Sequence, residues 1–145
     1  MGIDLSIRTF PAGSPLRDAA QLRVLGRVRE SIGELWSWRT EVPVSSDQHD
    51  RRAFDAVLSR DRVRIGLEVI TRLTDAQAQA RTILLKQETA GLECLVLVLA
   101  KTRNNTAVLA SASPTLKPSF PTPPRVVLAN LRAGHVPPAN GIILV

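Results

Sequence analysis

Successive apolar segments with two different periodicities predict an α/β domain with a central mixed sheet and flanking helices. Residues 38–44, 53–58 and 63–71 are short segments rich in β-branched and other apolar residues, bounded by polar turns, as strands are. A capped helical pattern beginning at Thr74 separates the last of them from residues 94–100, a continuous apolar run of the kind that a strand covered on both faces shows. A helix between two strands implies a right-handed crossover and parallel pairing, whereas the charged turn at 59–62 implies an antiparallel hairpin before it.

Each element follows from its residues. Residues 4–10 alternate enough for a first strand or an extended arm, which Pro11, Gly13 and Pro15 break. Ser14 before Pro15 reads as an N-cap and first helical position, with Asp18 in the first turn. From there Leu22, Leu25, Val28, Ile32 and Leu35 recur at helical spacing, and Arg23, Arg27, Glu30 and Glu34 fall on the opposite face. In the segment 38–44, Trp38, Thr40, Val42 and Val44 alternate with Arg39, Glu41 and Pro43, giving a half-buried strand whose proline places its end near an edge or a bulge. Residues 45–52 are a polar loop. Thr74, Asp75, Ala76 and Gln77 form a capping-box sequence, in which the threonine and glutamine side chains satisfy each other's free amides; the helix runs to about Thr89 and stops at Gly91. Beyond Lys101, residues 105–112 suggest a short helix, the five prolines of 114–124 an extended surface loop, 126–133 a helix stopped by Gly134, and 142–145 a final strand.

The 145 residues make one domain, 1–145, with its core at about 16–100 and a basic, proline-rich extension at 101–145. Aromatic residues are only 3% of the chain, which argues against a stacking platform for single-stranded nucleic acid. Cys94 cannot form an internal disulfide and reads as a buried small hydrophobe. No apolar run approaches the roughly 18 residues of a membrane span, and no export segment leads the chain, so no membrane partner and a cytoplasmic location are expected. His49 and His135 lack metal-ligand or triad spacing, and the glycines form no phosphate loop. The net charge is +6 and unevenly placed: residues 94–145 hold Lys101, Arg103, Lys117, Arg125 and Arg132 and no acid, so a polyanion such as nucleic acid would be drawn to the C-terminal third.

The chemistry points to Asp55 and Glu68, each a lone acid inside an apolar strand segment. Two carboxylates on neighbouring strands supply the oxygen ligands that a hard cation needs, and without such a cation they repel each other. The simplest alternative is a pair of acids on the open face of a hairpin, bridged to Arg39, Arg64 or Arg72. Glu68, Ile70 and Arg72 share one face of their strand, and Leu67 and Val69 the other.

The order strand, strand with acid, strand with acid, helix, strand resembles the PD-(D/E)XK nuclease-like (restriction-endonuclease-like) family, with its αβββαβ core. That resemblance implies Asp55 and Glu68 as magnesium ligands and a catalytic lysine two residues after the second acid. Here Ile70 stands at that position, and Phe54 stands where the family's proline precedes the first acid. A substitute for the lysine would come from the following helix, where Gln77, Arg81 and Lys86 are candidates; Gln77 is favoured, and Lys86 reads as a solvated helix residue. The segments DLSIRTFPAGSPLRDAAQ, WRTEVPV, RAFDAVL, IGLEVITRLTDAQA and VLVLAKTRNN also resemble the domain that follows the DNA-binding unit in bacterial helix-turn-helix regulators, implying a helix-turn-helix protein partner. Two functions follow. One is a catalytically degenerate nuclease-like module, an effector, sensor or interaction domain beside a transcriptional regulator, which Ile70 favours. The other is an active magnesium-dependent nuclease that uses Asp55, Glu68 and Gln77.

Overall fold

A computed structural model describes residues 15–145; the arm or strand expected at 4–10 and the Ser14 cap lie outside the described residues. The elements are α1 (Pro15–Ile32), β1 (Ser37–Pro43), β2 (Ala53–Arg60), β3 (Val63–Ile70), α2 (Ala76–Ala90), β4 (Cys94–Leu99), α3 (Arg103–Leu116), α4 (Pro124–Arg132) and β5 (Gly141–Leu144). The strands form one five-stranded mixed sheet in the order β1-β2-β3-β4-β5. β1, β2 and β3 are antiparallel neighbours, and β3, β4 and β5 are parallel ones. The fold is α/β with helices on both faces of the sheet, and among the described residues the first six elements run α, β, β, β, α, β.

Burial explains the two apolar periods. Every residue of β4 is buried, because Cys94, Val96 and Val98 pack with α1 and α4 on one face, while Leu95, Leu97 and Leu99 pack with α2 and α3 on the other. α1 contributes Val24, Leu25, Val28 and Ile32 to the first layer. Leu22 and Leu35, expected on that stripe, are 64% and 48% exposed. Leu22 falls off the stripe, and Leu35 follows Gly33, whose φ of 82° ends the helix before the apolar spacing does.

Asp61, with φ of 56°, turns the β2–β3 hairpin, which closes on the pair Arg60–Val63. The start of α2 lies one residue later than its capping-box sequence suggests. Asp75 is the N-cap and accepts the Ala78 amide, while Gln79, and not Gln77, reaches back to accept the Thr74 amide. The helix ends as expected at Gly91, which is in the left-handed conformation.

α3 departs most from expectation. It runs through Pro114 to Leu116, into the segment expected to be an extended loop. The helix survives the lost amide because Thr102 caps its start, and because Leu116 and Phe120 are buried against the α2 side of the sheet. Beyond it, Thr122 bridges Gly141 and leads into α4. Among the described residues no helix is long and apolar enough to cross a membrane.

Candidate functional site

Asp55 and Glu68 meet where the β2–β3 ladder stops. Paired residues run from Arg60–Val63 to Ala56–Leu67, and the next amides take other acceptors. The Asp55 amide donates to Glu68 Oε2 at 3.0 Å, and the Val69 amide donates to Asp55 Oδ2 at 2.7 Å. Each carboxylate thus holds an amide of the opposite strand, in place of the carbonyl that a continued ladder would offer. The expectation that the two acids share one location holds, and they lie in the seam between the strands.

The strand itself is irregular there. Phe54 and Val57, three residues apart, both pack toward α2, while Ala56 and Leu58 pack toward α1, so the alternation of β2 changes phase at Asp55. On the facing strand, Glu41 has φ of 50°, and the register passes from Thr40–Ala56 to Val42–Phe54. Glu41, a further acid on this side of the sequence, is exposed on β1.

The cation comes from α2. Lys86 Nζ lies 2.6 Å from Glu68 Oε1 and donates to the Ala53 carbonyl at 2.9 Å. The helix buries Ala76, Ala80 and Ile83 against the sheet, and Lys86 follows Ile83 by three residues, on the flank of that stripe. Its methylenes can run along the apolar face and deliver the ammonium to the strand seam. Lys86 therefore corrects the reading of it as a solvated residue: its side chain is 18% exposed, and that of Glu68 is 5% exposed. Gln77 sits nine residues earlier on the same helix; at about 100° per residue that is the opposite face. It is exposed and lines a groove between α2 and α3 with Arg81, Thr115 and Leu116, away from the acids. The helix brings Lys86 to the site in place of Gln77.

Burial is the main reason the Glu68 carboxyl is pushed up to about 7, and the adjacent Asp55 charge adds to it. The Lys86 ammonium and the Asp55 amide pull the other way. Two carboxylates are hard oxygen donors of the type magnesium takes, so the residues fit such an ion. Among the described residues no group of three or more His, Cys, Asp or Glu side chains that could hold a metal ion gathers at one point.

The loop before Ala53 is well ordered by its own hydrogen bonds. Asp50 accepts from Ser45 Oγ and from the backbone and guanidinium of Arg52, which holds its carboxyl well below the usual carboxylate range. Arg52 also reaches Thr89 at the end of α2. Arg39, Arg64 and Arg72, the bridging partners expected from sequence, are exposed.

Two polar residues, at opposite ends of β4, carry structure that sequence reasoning missed. Asn105, fully buried, accepts the Leu73 amide and donates to the carbonyls of Thr71 and Ala100, tying the exit of β3 to the exit of β4. Asn140 exchanges hydrogen bonds with Gln87 and accepts the Leu95 amide. The basic C-terminal residues do not form one stripe: Arg103 begins α3 and Lys117 caps it on the α2 side, whereas Arg125 and Arg132 belong to α4 on the α1 side, where Arg132 holds Ser31. Comparison with protein-family models, with curated proteins and with solved structures returns no match to this chain.

Proposed function

We propose that the chain is a nuclease-like domain that hydrolyses phosphodiester bonds, with a divalent cation held by Asp55 and Glu68 and with Lys86 serving in place of the lysine that Ile70 displaces. The observation that carries this reading is the Lys86 ammonium at 2.6 Å from Glu68. It removes the main sequence argument for a silent site. A bound magnesium ion would polarise a phosphoryl oxygen and lower the pKa of an attacking water. The chain's own part is to hold both carboxylates in one seam and to place a cation where negative charge develops on the phosphate. Nucleic acid is the proposed substrate, attracted by the basic balance of the chain, and the proposed setting is the cytoplasm.

One observation favours a second reading. Both carboxylates stand in for missing ladder acceptors, as a purely structural latch would. On that reading the domain is a non-cleaving effector or sensor beside a helix-turn-helix regulator.

Incubating the chain with single- and double-stranded DNA and RNA, with magnesium or manganese, divides the two. Cleavage is expected, falling about 10²–10³-fold in Lys86→Ala by loss of a preorganised charge, vanishing in Asp55→Ala and Glu68→Ala, and unaffected in Gln77→Ala. Intact substrate under every condition, or cleavage that survives Asp55→Ala, overturns the enzyme reading.

A further inference from the structure

We propose that Lys86 is the resident counter-ion of the acid pair and that a divalent cation entering between Asp55 and Glu68 displaces it, so that metal and lysine compete for Glu68. The inference rests on the metal-binding part of the reading above and goes beyond it by making the lysine a gate.

The contacts define the competition. Glu68 Oε2 is tied to the Asp55 amide, and Asp55 Oδ2 to the Val69 amide. Glu68 Oε1 holds the Lys86 ammonium at 2.6 Å. A cation approaching Glu68 therefore meets its remaining oxygen already occupied by a positive charge, in a place where Glu68 is 4% exposed and solvent screens poorly. Two cations cannot share that oxygen without strong repulsion. Lys86 can yield: its side chain is 18% exposed, its stem is flexible, and the Ala53 carbonyl, its other hydrogen-bond acceptor, is neutral. Loading the metal would thus free the ammonium toward a phosphate, and an empty site would keep it sequestered.

The test is titration with magnesium alone. In calorimetry, Lys86→Met, which keeps the stem and removes the charge, is expected to bind magnesium at least about tenfold more tightly than the wild type. In the wild type with ¹⁵N-labelled lysine, the Lys86 Nζ resonance is expected to move along the same magnesium isotherm. The second measurement stands even where Lys86→Met fails to fold. Equal or weaker binding by Lys86→Met, or an Nζ resonance that ignores bound magnesium, overturns the competition. If that binding is still abolished by Asp55→Asn, the metal site survives and only the gate is lost. No heat in either protein and no Nζ response in the wild type overturns both.

Discussion

Glu68 binds a proton in the folded chain that an unfolded chain releases near the ordinary value of 4.5, because burial, and then the Asp55 charge, push its carboxyl up to about 7. Between those values the folded form holds more protons than the unfolded one, so this group's contribution to stability is full below about 4.5 and is lost as pH rises through about 7. Urea melts of the metal-free protein are expected to lose on the order of 3 kcal/mol across that window through this group. Glu68→Gln, which cannot titrate, should flatten the decline; a wild-type slope retained in the variant would assign it to another group. The acids themselves were legible in sequence, since a charge inside an apolar strand segment stands out. Lys86 was harder to read. A lysine beside a buried helical stripe is usually solvated, and only the path of α2 over the β2–β3 seam decides that this one turns inward.

Among the elements, those specified by local pattern were readable, and those specified by contact were not. The β2–β3 hairpin, the parallel β3–β4 pair and the Gly91 stop each rest on a nearby signal. α3 does not: Pro114 argues against helix at its position, and the burial of Leu116 outweighs it. The phase change at Asp55 likewise depends on Glu41 across the ladder, which no single-strand pattern contains. β5 depends on a close approach of the same kind. A methyl group at Gly141 would collide with Val127 Cγ2 and lie 2.9 Å from the Thr122 carbonyl oxygen. Gly141→Ala is therefore expected to destabilise the fold by about 1–3 kcal/mol through overpacking, read as a lower denaturation midpoint at unchanged slope. An unaltered midpoint would show that α4 and the segment around Thr122 give way freely.

At the scale of the whole molecule, the two helical layers share one sheet, and β4 supplies alternate side chains to both. Opening either layer exposes the strand residues that it covers and leaves one whole face of β4 bare. Trp36 and Trp38 both lie in the α1/α4 layer, whereas helical circular dichroism reports on both layers. Thermal melts followed by tryptophan fluorescence and by circular dichroism are expected to coincide; separate transitions would mean that the α2/α3 layer unfolds on its own. The α/β class was legible because apolar period and segment length give it directly. Charge placement was not, for the acid-free C-terminal third is contiguous in sequence and divided between the faces in space.

The interrupted ladder also gives the protein a native reporter. The amide protons of Asp55 and Val69 are held by ionisable side chains, unlike those of the regular pairs beside them. Whatever neutralises those acids weakens the grip on these two protons, so their rates of exchange with deuterated water track the state of the seam without substrate, label or mutation.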